Sequence, residues 1–304
     1  MAVTISTPEI AAVTPEIIAQ ETLGKLINDC PLIKTITLDS SMEKSRGGLK
    51  VKIGKRGGLV RNEKLANTAT TLQNPSMTAA EVTMKPWEVT FSMEDITKTV
   101  AGVDYLDVGY VADAVGTLQE GIESDIAALF TDVGLAEVGT GLAEVTEDNV
   151  LAARAALTQL KAPQADRFAA LSTRQTTAAL KIDRFSRYDA YGKDGVIANG
   201  ALKNIAGFNV VESPFIPFTT GGGATEKGAF YHRQGIALAT RGMSTYAPAG
   251  SGVAMTMVEV NGMIFRVSMG YVIGLQSTQI TIDCLYGVGF LRKDLVIRLK
   301  TLNT

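Results

Sequence analysis

His232 is the single histidine of the chain, and Cys30 and Cys284 are its two cysteines. Acyl transfer by a Ser/His/Asp arrangement would have to run through His232. That residue lies in Ala229-Phe230-Tyr231-His232-Arg233, a strand-like run with no accompanying Ser or Cys motif. His232 therefore reads as a structural or surface histidine. A two-histidine metal site is excluded by count, and two distant cysteines without a Cys-x-x-Cys partner build neither a zinc cluster nor a disulfide framework. Both cysteines read as small apolar packing residues.

The glycine clusters are equally poor in chemistry. Gly221-Gly222-Gly223 lacks the Gly-Lys-Ser/Thr and the following helix of a phosphate-binding loop. Gly192-Lys193-Asp194-Gly195 fails on the same grounds, and Gly139-Thr140-Gly141 lacks the preceding strand and third glycine of a dinucleotide fingerprint. What stands out is charge. Lys44, Arg46, Lys50, Lys52, Lys55, Arg56, Arg61 and Lys64 fall within 44–64, with Glu63 the one acid between them. Residues 101–150 carry eleven acids and no Lys or Arg. Paired carboxylates there could do acid/base work, but most lie off the apolar stripe and read as a solvated face. The basic run has no base-stacking aromatic, so phosphate binding is open while single-strand stacking is not favoured. Two readings remain for it: a solvated edge charged against unwanted strand pairing, or a limb that reaches the acidic region of a neighbouring subunit.

The elements that would position these charges follow from periodicity. Thr14-Pro15-Glu16 reads as a helix start, with an apolar stripe through Ile17, Ile18, Leu23, Leu26 and Ile27 that Pro31 ends. Leu49, Val51 and Ile53 alternate with lysines, and a second alternating run follows from Val82 to Met93, which together predict a long two-stranded flap over 46–94. A free hairpin is marginal in water, so a partner surface is expected beneath it. Val108, Val111, Val115, Leu118, Ile122, Ile126 and Leu129 step by three and four, predicting one long helix over 104–133. Further helices are expected at 150–161 and 173–182, with strands at 168–171 and 207–211. Residues 183–199 and 219–228 read as exposed loops. Asn261-Gly262 between two alternating runs predicts a hairpin, and strands at 279–285 and 288–299 complete a sheet.

With 304 residues, 46% apolar and 20% charged, the chain has globular composition. No run approaches the roughly 20 apolar residues of a membrane-spanning helix, and Met1–Ile10 lacks the basic start of a secretory signal. A formal charge of −2 excludes a uniformly basic nucleic-acid binder.

Three stretches resemble the major capsid proteins of tailed double-stranded DNA phages. Asn199 to Ser213, followed by Pro214 and Pro217, is similar to the family's G-x-x-x-x-I-x-G-F-x-V-V-x-S strand. Ala229 to Ala239 is similar to the strand leading back to the peripheral domain. Ile280 to Leu299 resembles the closing strands, although Lys293 and Asp294 depart from the family's Leu-Arg-Pro-Glu-like turn. The resemblance covers about 145–300, and in the first half only the order of parts matches, with short-tailed phage coat proteins the nearest kin. It implies an α+β, Hong Kong 97-type capsid fold divided into an N-terminal arm (1–45), an extended β-hairpin E-loop with flanking strands (46–94), a peripheral domain with spine helix (95–146), an axial domain (147–240), and peripheral strands returning to the axial domain (241–304). It also implies a non-enzymatic shell protein without cofactor or metal, self-assembling into hexamers and pentamers around packaged DNA without sequence-specific contact. A separate scaffolding protein, a portal at one vertex and a decoration protein are the implied partners, with assembly in the host cytoplasm and no membrane.

Two site expectations accompany this reading. Lys50, Lys52, Lys55, Arg56 and Arg61 are expected at an inter-subunit contact, and Glu120 and Glu123 are expected to face the lumen. Competing readings are an encapsulin-like nanocompartment, a soluble enzyme using a pocket near His232, and a phage tail or adaptor protein.

Overall fold

A computed structural model describes residues 31–39, 48–101, 110–182, 202, 204–220, 223–246, 252–260 and 263–302. The helix expected from Thr14, the cations Lys44 and Arg46, Cys30, the loop 183–199 and the Asn261-Gly262 turn lie outside them.

In chain order, a 3-10 turn at Ile33–Thr35 leads into β1 (Thr37–Asp39), and the flap follows as β2 (Lys50–Arg56) and β3 (Met77–Thr83). Then come β4 (Lys85–Glu94), α1 (Asp95–Ala101), α2 (Tyr110–Ala128), β5 (Ala136–Val138) and α3 (Glu147–Gln159). The next group is β6 (Arg167–Leu171), α4 (Thr173–Leu180), β7 (Asn204–Ile205), β8 (Phe208–Glu212) and β9 (Thr225–His232). The chain closes with β10 (Ile236–Arg241), β11 (Val253–Val260), β12 (Met263–Val272), β13 (Ser277–Phe290) and β14 (Val296–Leu302).

These strands make two six-stranded sheets and the separate hairpin. The first runs β1-β10-β13-β12-β11, with β4 on the other edge of β13. The second runs β5-β14-β9-β6-β8-β7. Turn chemistry explains several joints. β11 and β12 are antiparallel with Val260 opposite Met263, the pairing the two alternating runs predict. Ala206 and Gly207 both have positive φ, which a two-residue hairpin between Ile205 and Phe208 demands. Ser172 caps α4 in a reciprocal box with Gln175, and Thr146 caps α3.

The main core lies where α2 meets both sheets. Ile122, Ile126 and Phe130 are fully buried against Phe265, Val267 and Ile282 of the first sheet and Tyr231 and Phe168 of the second. Each such side chain is worth about 1.5–3 kcal/mol on burial. Leu118, Ile122 and Ile126 of the stripe expected from 3.6-residue periodicity are thus on the buried face of α2. A second cluster packs α3 (Val150, Ala153, Leu157) and α4 (Ala178, Ala179) on Leu171, Phe208, Phe230, Ile297 and Leu299.

Three expectations are corrected. The alternating run 82–93 is two strands: β3 pairs with β2, whereas β4 leaves the flap at Met84 and adds ten registered pairs to β13. The loop expected over 219–228 ends early, because Thr225 and Glu226 are buried at the start of β9. The closing strand expected at 288–299 is interrupted: β13 runs unbroken to Phe290, and a 3-10 turn at Lys293–Leu295 precedes β14. Ala136–Val138 and Val296–Leu302 pair in the second sheet, whereas Ile236–Arg241 pairs in the first.

Candidate assembly surfaces

The flap is built in register. Val51 stands opposite Val82 and Lys52 opposite Glu81, so one face of the hairpin is apolar and the other charged. The apolar face turns inward: Val51, Val82 and Met84 pack on Ala239 and Leu285. On the charged face the Glu81 carboxylate takes Lys52 at 2.9 Å and Lys50 at 3.7 Å, and these cations hold its pKa below the ordinary value. Lys55 reaches Asp294 at 3.3 Å, and Arg241 donates to the Gly48 carbonyl at 3.2 Å. The partner surface expected beneath the hairpin is therefore, at its root, the chain's own body.

Past Gly57, whose N–H donates to the Ser76 carbonyl at 2.8 Å, the strand ladder stops. The two limbs stay together through Gln73: its side-chain oxygen accepts from the Val60 N–H at 2.8 Å and its amide donates to the Val60 carbonyl. One side chain thereby does the work of a ladder residue. Beyond it the tip presents Leu59, Val60, Leu65 and Leu72 to solvent, the last 95% exposed. Arg56, Arg61 and Lys64 beside them make no ion pair with an acid among the described residues. The tip therefore sets exposed apolar side chains beside cations that meet no acid among the described residues.

A second exposed apolar group closes the far end of the first sheet: Ile96 and Val100 on α1, and Ile273 and Leu275 after β12. Asp95 joins the two segments, accepting from the Tyr271 hydroxyl at 2.5 Å while its N–H donates to the Gln276 carbonyl at 2.9 Å. Glu94 and Asp95 give this patch an acidic rim.

The two acids expected to face the lumen part company. Glu120 is exposed. Glu123 is only 3% exposed, inside the main core, where it accepts from the Leu32 N–H at 3.3 Å and the Ser213 hydroxyl at 3.1 Å. It therefore cannot present charge to an interior space. Sequence reasoning placed it with the solvated acids of α2, but it follows Ile122 on the buried side. Ser213, the closing residue of the capsid-like motif, was the one signal of a buried hydroxyl nearby.

His232 is buried, and its Nδ1 accepts from the Gln234 N–H at 3.2 Å, so it shapes the turn between β9 and β10. Burial pushes its pKa down, against the pull of Asp166. Cys284 is buried and free, its thiol pushed up to about 12 by burial. No group of three or more His, Cys, Asp or Glu suited to a metal occurs among the described residues. No described helix is long and apolar enough to cross a membrane.

Comparison with known proteins agrees with this architecture. A family model described as phage capsid protein matches residues 112–247. A search of curated proteins finds no match. Among solved structures, one from Mycobacterium phage Che8 aligns with TM-score 0.63 at 17% identity, covering 86% of this chain and 88% of that one. The capsid of cyanophage P-SCSP1u aligns with TM-score 0.63 at 17% identity, covering 89% and 87%. The head of Helicobacter pylori bacteriophage KHP40 aligns with TM-score 0.62 at 11% identity, covering 88% of each. The fold is the Hong Kong 97-type capsid fold of mixed helix and sheet. Across its centre, residues 112–247, the chain is similar to the phage capsid protein family.

Proposed function

We infer that copies of this chain associate into capsomers and close into the shell of a virion around double-stranded DNA. One observation carries the reading within the chain itself: a flap whose root is fixed to the body while its apolar tip is left in water. Heterologous contacts of this type close into rings when the rotation permits. Apolar burial, about 25 cal/mol per Å², would supply most of the affinity. Exposed ion pairs, about 0–1 kcal/mol each, would choose register.

The basic limb divides by role. Lys50, Lys52 and Lys55 are engaged within the chain, so Arg56 and Arg61, with Lys64, are the cations left to dock on acidic residues of an adjacent subunit. The acid-rimmed patch at Ile96, Val100, Ile273 and Leu275 has the matching chemistry. Glu120 remains a candidate lumen-facing charge that would keep packaged DNA from adhering. A separate scaffolding protein, a portal at one vertex, a decoration protein and assembly in the host cytoplasm belong to this same proposal. Neither the family model nor the structures named above supports the nanocompartment, enzyme or tail readings.

The test pairs charge reversal with tip polarity. Arg56→Glu with Arg61→Glu, and separately Leu59→Ser with Leu72→Ser, should leave a folded subunit but abolish megadalton particles by light scattering and negative-stain microscopy. Unchanged particle yield in both variants would overturn the docking role of the flap.

A further inference from the structure

Glu123 joins three segments that are distant in sequence. Its Oε1 accepts from Leu32, at the start of the described chain, and its Oε2 from Ser213, which follows β8. Leu32 is held at both ends of its peptide groups. The Thr35 hydroxyl donates to the Leu32 carbonyl at 2.6 Å, and because that proton is committed, the Tyr231 hydroxyl at 2.6 Å donates to Thr35. The chain of bonds therefore runs from β9 through Leu32–Thr35 to α2 and on to Ser213, whose oxygen also accepts from the Phe215 N–H at 3.3 Å.

The surroundings are wrong for a permanent charge. Leu32, Ile122, Ile126, Ile216 and Tyr231 are all at most 2% exposed, and they share one core cluster. A carboxylate has about four acceptor sites, and among the described residues two are used, by bonds of 3.3 and 3.1 Å that are longer than charge-assisted ones usually are. The ionisable groups on the packed elements do not compensate. Tyr231, from β9, is neutral and is itself driven higher by burial. Lys34 of the root, Glu212 of β8 and Glu120 of α2 are exposed; Arg233, after β9, lies over the Phe168 ring and donates to the Lys34 carbonyl. Asp125, further along α2, is taken by the Tyr286 hydroxyl at 2.8 Å.

We propose that Glu123 is a proton-controlled latch on the root of the N-terminal segment, Leu32–Ile36, tight when the carboxyl is neutral and loosened when it ionises. Burial raises its pKa above the ordinary 4.5, outweighing the two hydrogen bonds that lower it. Between the ordinary and the raised value the docked state holds a proton that the open state does not. Docking is therefore favoured on the acid side and weakens as pH rises through that window. The consequence is a pH-dependent foothold for Leu32–Ile36, separate from the flap contacts proposed above.

Hydrogen exchange of the full chain, followed by mass spectrometry on peptides spanning 32–36 and corrected for intrinsic rates, tests this. Wild-type protection should decline as pH rises above 4.5, by at most about tenfold per pH unit for one proton. Glu123→Gln keeps an acceptor for Leu32 and gains a donor for Ser213 without charge, so its protection should be high and flat. Equal pH slopes in the two proteins would overturn the latch. If the Gln variant does not fold, Ser213→Ala decides instead: losing a donor to the ionised form should move the wild-type midpoint to higher pH, and an unmoved midpoint would overturn the proposal.

Discussion

A Cβ built on Gly287 would stand 2.3 Å from the carbonyl oxygen of Thr83. The root of the flap crosses β13 at that point, and at Gly289 the same construction meets the Val82 side chain at 2.9 Å. Backbone cannot retreat as a flexible side chain can, so glycine at 287 is what lets the flap lie down. Gly287→Ala should destabilise the subunit by about 1–3 kcal/mol, the range for overpacking, and tilt the flap off its seat. Gly274→Ala, where nothing lies within 4 Å, should stay within about 0.5 kcal/mol. Thermal unfolding of both variants checks the contrast.

The buried stripe of α2 sets a second expectation. Ile126 has no exposed surface, whereas Leu151 on α3 is 43% exposed. Ile126→Ala should cost about 2–5 kcal/mol and Leu151→Ala about 0.5 kcal/mol or less, measured by denaturant unfolding of the unassembled subunit.

His232 and Glu123 bias the fold in opposite directions as pH changes. For His232 the folded value lies below the ordinary 6.5, so between the two the unfolded chain binds more protons. Its contribution is complete above 6.5 and is lost as acid is added. His232→Asn, which offers an oxygen to the Gln234 N–H, should flatten the fall in melting temperature as pH drops below 6.5. A fall as steep as in the natural chain would contradict this assignment.

Much of the architecture was legible because local and global demands coincide. The alternation of Val51 with its lysines matches a hairpin whose apolar face is buried, and Asn261-Gly262 admits few structures besides a tight turn. The failures occur where one chain segment serves two partners. Val82 and Val89 share one alternating pattern, yet the strand changes neighbour between them: Met84 sits in the seat formed by Ala239 and Leu285, and Pro86 two residues on was the local signal of a break. Tyr286-Gly287 reads as a break, but β13 continues through it, since those glycines make room for a crossing strand.

The candidate sites were legible in charge and not in placement. A basic limb is visible in composition, but only register reveals that Glu81 engages Lys50 and Lys52 and leaves Arg56 and Arg61 for others. Glu123 was grouped with its acidic neighbours because polarity alone cannot distinguish a solvated carboxylate from one that a distant serine and amide have drawn inside.

The fourteen-residue β13 carries a mechanical consequence. It is bonded along one edge by ten registered pairs to β4 and along the other by eight to β12, with β10 continuing past them. Tension applied along that strand strains all these bonds at once, so they fail together or hold. The flap, pulled from its free end, can be unzipped one rung at a time. The same polypeptide thus combines a girder that resists stretching with a limb that yields, and an inflating container could redistribute strain into the limb before the girder gives way.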